Sequence, residues 1–385
     1  MTRDAVIIEA VRTPVGKRGG ALRHWHPVDL LAHTLADLVR RSGVDQAGLA
    51  DVIVGCALQR GEQTGNVART ALLGAGLPVG LPGTTLDRQC GSGQQSVHFA
   101  AQGVRSGEYD TAIGAGVESM SRVDLGPLFV PGAPRGDWYG ERALARFDGN
   151  LPAQGPSAEM VVAKWGYSRE QLDDYAARSH HRAAAATEAG WFATQLVPIE
   201  GADGPMTRDE GIRTPDRERM AALPPAFGAD GAITAANASQ ISDGAAALLV
   251  AERSHAESAG LRARARIVSM AVAADDPVLQ FTAILPATRA ALDRAGLTIG
   301  DIDLVEVNEA FAPVPLLWRD EFGYPDDQLN VNGGSIALGH PLGSTGGRLL
   351  TQIVHELERR EARYGLVTVC EAAGMANATI VERLA

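Results

Sequence analysis

Hydrophobic and polar positions recur in the same order in two distant stretches of the chain. Residues 42–58 (SGVDQAGLADVIVGCAL) and 295–312 (AGLTIGDIDLVEVNEAFA) each pass through a glycine-containing turn and an acidic turn into a β-branched run. A glycine-rich turn, an amphipathic stretch and a strand-like run follow in both halves. The offset is about 253 to 255 residues throughout, which predicts an internal duplication.

The amphipathic stretches carry apolar residues at helical spacing. They are Val97, Ala100, Ala101 and Val104 in the first half, and Leu349, Leu350, Ile353, Val354 and Leu357 in the second. Each stretch precedes a short apolar run, TAIGAG at 111–116 and LVTVC at 366–370. Helices alternating with short buried strands predict layered α/β units in which the helices pack against a sheet.

Between the halves, from about 121 to 236, the pattern changes. This stretch opens with the Gly/Pro-rich run GPLFVPGAPRGDWYG (126–140) and contains a helical segment that starts at Ser168, and a polar loop (201–220) completes it. This pattern predicts a long segment inserted into the first half. A loop of this length in a compact enzyme is usually functional. The predicted units are 1–120 plus about 237–262, then 121–236, then 263–385.

Composition and charge argue against some classes of binding partner. The 385 residues include 35 Lys and Arg against 46 Asp and Glu, a formal charge of -11, which argues against nucleic acid or an anionic membrane as partner. An anionic ligand therefore needs a local basic patch. No run approaches the roughly 18 apolar residues of a membrane helix. Three widely separated cysteines fit a reducing cytoplasm without a disulfide framework, so we expect a cytoplasmic protein.

Cys90, in DRQCGSGQQS (87–96), is the first candidate for chemistry. It precedes a predicted helix over 91–106, whose unpaired N–H groups and dipole stabilise a thiolate. Gly91 and Gly93 allow a ligand or another backbone to approach closely. The alternative is a small buried residue in a strand–helix turn.

Three further motifs carry candidate side chains. His340 lies in the glycine-dense run NVNGGSIALGHPLGSTGG (330–347), where it is either a general base or a histidine hydrogen-bonded in a turn. Asn308 follows a strand-like run and either holds a water or an oxyanion, or caps a helix. Cys370 ends a strand-like run before small residues.

Metal and nucleotide motifs are missing from the sequence. It has no CxxC, no HxxxH and no acidic cluster with calcium-loop spacing, so we expect no metal site. A Rossmann or Walker glycine pattern is also missing after the first strand, which removes support for NAD and ATP.

Taken together, the motifs resemble the thiolases, which exchange acyl groups between 3-ketoacyl-CoA and CoA. The resemblance runs over nearly the whole chain, through VRTPVGKRGG, GEQTGNVAR, QCGSGQQS, TAANASQISDGAA, VNEAFA, NGGSIALGHPLGSTGGR and CEAAGM. It implies an α/β thiolase fold with two duplicated βαβαβαββ halves in α/β/α/β/α layers and an inserted loop domain. It also implies a homodimer or homotetramer, and CoA as a co-substrate with no tightly bound cofactor.

The resemblance assigns roles to individual residues. Cys90 matches the nucleophile that accepts the acyl group, and His340 matches the base that activates it. Cys370 matches a second thiol that moves protons, and Asn308 matches a residue that holds a water in an oxyanion site. The expected CoA contacts are Arg213 at the nucleotide end, Ser239 at the pantetheine arm, and Ala310 and Phe311 of the NEAF run.

Two departures from the family pattern stand out. Ala153, Gln154 and Gly155 occupy the place where many thiolases have His-Met-Gly, which bears on chain-length preference. The last motif, usually C-x-G-x-G, carries Glu371 and Ala372. Glu371 raises the pKa of Cys370 if its carboxylate faces that thiol, and alanine at 372 is strained if a glycine-only dihedral is needed there.

The predicted function is degradative cleavage of a 3-ketoacyl-CoA with a medium, long or ring-bearing acyl chain. VGKRGG, GEQTGN and the missing His-Met resemble thiolases of bacterial steroid and lipid breakdown. The alternative within the family is an acetyltransferase that forms acetoacetyl-CoA. A ketoacyl synthase and a non-catalytic thiolase-like scaffold are disfavoured, because Cys370 and the NEAF run are both present.

Overall fold

The computed structural model describes residues 3–125 and 139–384, so most of the predicted Gly/Pro-rich run lies outside the described residues. The first half contains β1 Ala5–Arg12, β2 Gly16–Lys17, α1 Pro27–Ser42, β3 Val52–Gly55, α2 Val67–Gly74, β4 Gly83–Leu86, α3 Ser92–Ser106, β5 Thr111–Ser119 and β8 Ser242–Glu252. Apart from the short β2, this order is the predicted βαβαβαββ.

The segment between β5 and β8 is mainly helical. It contains α4 Glu141–Arg146, α5 Gln154–Trp165, α6 Arg169–Glu188, the strand pair β6 Ile199–Gly201 and β7 Gly204–Met206, and α7 Arg217–Ala221. The helix start predicted at Ser168 is confirmed, because Ser168 and Gln171 form a capping box that satisfies two backbone N–H groups.

The second half repeats the first with one reduction. It follows α8 Arg253–Ser258 and contains β9 Ala265–Ala274, α9 Ile284–Ala295, β10 Leu304–Val307, α10 Pro313–Phe322, α11 Ser335–Leu338, α12 Leu342–Arg360, β11 Tyr364–Glu371 and β12 Met375–Arg383. At the position of the third strand, the described second half has a single parallel bridge between Val305 and Leu329.

One ten-stranded sheet runs through both halves of the described chain. Its order is β10-β11-β12-β9-β1-β8-β5-β3-β4, with β2 attached to β8. The halves join where β1 meets β9, and this seam contains two residue pairs, Val6 with Arg266 and Ile7 with Ala265. The sheet therefore has two parts, one in each half, that are joined only by these two pairs.

The helices form the predicted layers. Helices α3 and α12 pack against each other, α3 against strands of the first half and α12 against strands of both halves, so they form the central layer. Helices α1 and α2 cover the first half, and α9 covers β9 and β12 of the second. The apolar positions predicted for α3 and α12 are at most 1 % exposed, which confirms the helical spacing seen in the sequence. No helix within residues 3–125 and 139–384 has the length and apolar character required to cross a bilayer.

Candidate active site

Cys90 lies in the turn that leads into α3, and its side chain is 3 % exposed. The two glycines after it make room for the second half. A Cβ on Gly93 would lie 2.6 Å from the carbonyl oxygen of Gly343, at the start of α12. A Cβ on Gly91 would lie 1.8 Å from Oε1 of Glu371. Close approach at both glycines therefore brings the loops of the second half against Cys90.

His340 precedes α12 and is 5 % exposed. Its Nδ1 lies 2.7 Å from Oγ1 of Thr345, and that hydroxyl donates to the carbonyl oxygen of Pro341 at 2.8 Å. Because the hydroxyl proton is used for Pro341, Nδ1 is the protonated ring nitrogen and Nε2 carries the free lone pair. Burial and the nearby Arg348 lower the pKa of His340 to about 3, so the ring is neutral at neutral pH.

Asn308 links the histidine to the second thiol. Its Nδ2 lies 3.5 Å from Nε2 of His340 and 3.7 Å from Sγ of Cys370. Its Oδ1 accepts a hydrogen bond from Ser335 at 2.7 Å, and Arg348 donates to the same Ser335 hydroxyl at 2.9 Å. The Arg348–Ser335 pair therefore fixes the amide so that its N–H groups face the two reactive side chains.

Both thiols are held in the protonated form. Burial raises the pKa of Cys90 well above its ordinary value, and the neighbouring Cys370 and Glu371 raise it further. Burial likewise raises the pKa of Cys370 to about 12, although the hydrogen bond from Asn308 acts in the opposite direction. The expectation that the helix start gives Cys90 a low pKa is therefore wrong for the unliganded site, because desolvation outweighs the helix terminus.

The side-chain amide of Gln154 acts against burial at Cys90, because it lowers the pKa of the thiol. Gln154 is the first residue of α5, and its Nε2 is buried without a well-aligned hydrogen bond to any described residue. The amide is nevertheless close enough to the thiol to lower the pKa of Cys90. It thus presents an N–H donor that the neutral thiol does not fully use and that a thiolate accepts.

Glu371 is buried against Gly91, and neither carboxyl oxygen has a hydrogen-bond partner among residues 3–125 and 139–384. Burial raises its pKa well above the usual range, and the nearby Arg88 offsets this only in part. Burial therefore favours the neutral form of this carboxyl group. The expectation that Glu371 raises the pKa of Cys370 is confirmed, and the same holds for Cys90.

The strain expected at Ala372 lies one residue later. Ala373 has a φ of 62° and Gly374 a φ of 75°, whereas Ala372 is not among the residues of positive φ. An alanine at position 372 is therefore compatible with this loop. Ala373 instead adopts the left-handed conformation, which is unfavourable for alanine.

The predicted contacts for a CoA molecule occupy two adjoining places. Ser239, Ala310 and Phe311 lie together, because Ser239 N–H donates to the carbonyl oxygen of Ala310 at 3.0 Å and Ala238 forms a bridge with Phe311. Arg213 lines a cleft of about 310 Å³ whose other walls include His180, Thr214, Asp216, Arg219, Ala235 and Ala236. The cleft thus reaches the segment that leads into Ser239.

Two cations face this cleft. Burial lowers the pKa of Arg213 and the charge of Arg219 lowers it further, so the two guanidinium groups are close to each other. Neither one forms an ion pair with a carboxylate in the described part of the chain. Two positive charges without a paired carboxylate favour an anionic ligand. They supply the local basic patch that an anionic ligand needs on a protein of acidic net charge. For metals, the described residues hold no cluster of three His, Cys, Asp or Glu side chains that fits an ion.

Comparison with known proteins decides the family. The thiolase N-terminal domain matches residues 5–254, and the thiolase C-terminal domain matches residues 261–383. The chain belongs to the thiolase family. It is an acyltransferase, and the fold is the thiolase fold predicted from the motifs.

Three relatives show how far the similarity to other thiolases extends. A steroid 3-ketoacyl-CoA thiolase of Mycobacterium tuberculosis is 46 % identical over 99 % of this chain and 94 % of its own length. A 3-oxoadipyl-CoA/3-oxo-5,6-dehydrosuberyl-CoA thiolase of Escherichia coli is 43 % identical over 99 % of this chain and 100 % of its own length. The crystal structure of a Bacillus anthracis acetyl-CoA acetyltransferase covers 100 % of this chain and 99 % of its own, with a TM-score of 0.90 and 35 % identity.

Several side chains of this thiolase site were not found by sequence reasoning. Thr345 and Arg348 lie on α12 after His340, and Ser335 lies on α11 before it, so their helical spacing was the available signal. The sequence marks Gln154 only as a departure from the family pattern. Its position beside Cys90 depends on how the inserted segment packs, which periodicity does not reveal.

Proposed function

We propose that this thiolase cleaves a 3-ketoacyl-CoA to acetyl-CoA, or propionyl-CoA, and a shortened acyl-CoA by a ping-pong mechanism through acyl-Cys90. The observation that carries this proposal is the grouping of Cys90 from the first half with His340, Asn308 and Cys370 from the second. A nucleophile, a base and a second proton carrier are the groups that two successive acyl transfers require.

In the first half-reaction, the proton on Sγ of Cys90 passes to Nε2 of His340 and the sulfur attacks the keto carbon. The bond between that carbon and the α-carbon then breaks, and the α-carbon receives a proton from the Cys370 thiol. Acetyl-CoA, or propionyl-CoA, leaves and the shortened acyl group stays on Cys90. His340 suits the base role because its ring is neutral and its Nδ1 proton is held by Thr345.

In the second half-reaction, the thiol of a new CoA attacks the acyl-Cys90 carbonyl. Its proton passes to Cys370, which had given one up, and Cys90 recovers its proton from His340. The charge on each carbonyl oxygen requires donors that are already in place. Asn308 is a donor of this kind, because Ser335 and Arg348 fix its amide before substrate enters.

CoA occupies the cleft of Arg213 and Arg219 in this proposal, and its pantetheine arm passes Ser239, Ala310 and Phe311 toward Cys90. The two unpaired guanidinium groups support this direction, because the phosphates of CoA are its anionic end. We further propose the domain division predicted above, with 121–236 as the CoA-binding loop domain. Pairing of β8 with β1 and β5 supports the return of the chain to the first half.

For the substrate, we propose a medium, long or ring-bearing acyl chain. The support is the 46 % identity to a protein named as a steroid 3-ketoacyl-CoA thiolase. Thiolysis rates measured with C4, C10 and steroid side-chain 3-ketoacyl-CoA esters test it, with the Cys90→Ala and Cys370→Ala variants as controls. A strong preference for the C4 ester would contradict the proposal.

The alternative is formation of acetoacetyl-CoA from two acetyl-CoA molecules. It is favoured by the structural likeness to the Bacillus anthracis acetyl-CoA acetyltransferase. Condensation of acetyl-CoA, run beside the thiolysis panel, separates the two functions. Intact mass after incubation with acetyl-CoA tests the shared step, since folded protein without an acetyl adduct on Cys90 would contradict both.

We also propose a homodimer or homotetramer. Strand β4 ends the sheet, and its outer edge has no partner strand among the described residues. Phe99 on the neighbouring α3 is 41 % exposed, although large apolar side chains favour burial. Light scattering coupled to size-exclusion chromatography tests this, and a monomer at micromolar concentration would contradict it.

A further inference from the structure

Gln280, which lies close to the site, has a backbone conformation that is unusual for a residue with a side chain. Its φ is 56° and its ψ is -55°, and N–H of Phe281 donates to the carbonyl oxygen of Leu279 at 2.6 Å across it. This is a γ-turn of the rare positive-φ type, which is strained for a residue with a side chain. Gln280 is also 1 % exposed.

The side chain of this strained residue connects two segments. Its Nε2 donates to the carbonyl oxygen of Pro152 at 2.7 Å and to Oγ of Ser157 at 3.0 Å, on either side of the start of α5. Its Oε1 accepts from N–H of Ala373 at 3.1 Å, in the loop that follows Cys370. All polar atoms of the side-chain amide are therefore used to connect the two segments.

Neighbouring bonds strengthen both ends of this connection. Oγ of Ser157 donates to the carbonyl oxygen of Val278 at 2.7 Å, and N–H of Asp275 donates to the carbonyl oxygen of Gly374 at 2.8 Å. The segment before α9 thus touches α5 on one side and the loop after Cys370 on the other. Ala373, which also has a positive φ, donates its N–H to Oε1 of Gln280.

We propose that Gln280 is a positioning residue, which holds Gln154 against the Cys90 thiol by anchoring the start of α5 to the loop after Cys370. Gln154 lies two residues after Pro152 and three before Ser157, so Gln280 binds the chain on both sides of it. Gln280 itself does not touch the reacting atoms in this proposal. It acts through the Gln154 amide, and this rests on Cys90 being the nucleophile of the proposed function.

The test uses the full-length protein and the rate of Cys90 alkylation by iodoacetamide between pH 6 and 10, followed by mass spectrometry. Gln280→Met keeps the length of the side chain but removes its hydrogen bonds, and Gln280→Gly also relieves the positive φ, so that a folded variant is obtained. In both variants we expect the alkylation rate at pH 7.5 to fall about tenfold, equal to one pKa unit. The exposed Gln102→Met on α3 is the matched control and leaves the rate unchanged.

A double-mutant cycle with Gln154→Ala separates positioning from a general structural effect. Gln154→Ala slows alkylation by itself, and adding Gln280→Met slows it no further, because the second change acts through the first. Additive losses, or a normal alkylation profile in both Gln280 variants, overturn the proposal. Alkylation needs no turnover, so a failure of the proposed function appears separately, as wild-type protein that alkylates but forms no acyl-Cys90.

Discussion

Cys90 and His340 occupy equivalent positions in the two halves of the duplication. Cys90 lies two residues before α3, which begins at Ser92, and His340 lies two residues before α12, which begins at Leu342. The proposed nucleophile and its base thus hold the same position relative to corresponding helices, although the residue that follows each differs in conformation, with ψ 0° at Gly91 and ψ 106° at Pro341. Because α3 and α12 pack against each other, the two helix starts face one another at the site.

The ends of β5 and β11 also occupy equivalent positions in the two halves, but the residues there have different roles. Cys370 is the next-to-last residue of β11, and Glu118 is the next-to-last residue of β5. Glu118 accepts hydrogen bonds from N–H of Gly343 and of Ala57, each at 2.9 Å. In the first half this position therefore holds the start of α12 in place, whereas in the second half it supplies a thiol.

Gly91→Ala is expected to destabilise the protein by about 1–3 kcal/mol and to abolish acyl transfer, because the added methyl group overlaps the Glu371 carboxyl. Urea unfolding and thiolysis rates measure the two effects. The double variant with Glu371→Ala makes room for the methyl group and restores most of the lost stability. If the double variant is no more stable than Gly91→Ala alone, the contact is not the cause.

Glu371→Gln is expected to make stability less dependent on pH. The pKa of Glu371 is raised in the folded protein, so its proton is bound more tightly there than in the unfolded chain. The stability that depends on this proton is complete below the unfolded pKa and is lost as pH rises toward the folded pKa. Thermal unfolding from pH 5 to 9 tests this: the variant gains on the wild type as pH rises, and parallel curves would contradict it.

Ser335→Ala is expected to lower kcat about ten- to a hundredfold with little change in KM, because it frees the Asn308 amide to rotate. The matched control is Ser269→Ala, which removes a buried serine bonded to the carbonyl oxygen of Ala291, outside the site. Steady-state kinetics of both variants distinguish loss of orientation from loss of a buried hydroxyl. An equal effect of the two substitutions would contradict the orienting role.

Arg213→Ala is expected to raise KM for CoA about tenfold or more, the usual effect of removing a hydrogen bond to a charged group. Arg219→Ala acts in the same direction because both guanidinium groups face the cleft. Arg217→Ala is the control, since Arg217 is already paired with Asp174. Initial rates against CoA concentration test the set, and equal KM values for the Arg213 and Arg217 variants would contradict the assigned site.

The sequence was sufficient for the motifs whose chemistry is local. Cys90 before a predicted helix, and Cys370 at the end of a strand, both follow from residue type and spacing, and the structure places them accordingly. The reduced third strand of the second half was not predicted, because a single bridge at Leu329 leaves no alternating pattern in the sequence.

Properties that depend on tertiary packing could not be predicted. The raised pKa of Cys90 reflects burial between the halves, whereas the sequence suggested only the opposing effect of a helix start. Likewise, a positive φ at Ala373 or Gln280 has no sequence signal, since neither residue type favours that conformation. Contacts with neighbouring segments hold a strained backbone conformation of this kind, so it can be recognised only in the folded structure.

The two-pair seam between β1 and β9 sets an order for the loss of structure. Besides this seam, the packing of α3 against α12 holds the halves together, so denaturation that loosens this layer separates the halves while each part of the sheet still keeps its own ladder. The proposed catalytic group combines Cys90 of the first half with His340, Asn308 and Cys370 of the second, so neither half contains all of it. Enzymatic inactivation in urea should therefore precede the loss of helical circular dichroism, and an excess of CoA, which in the proposed function binds only the assembled state, should bring the two transitions together.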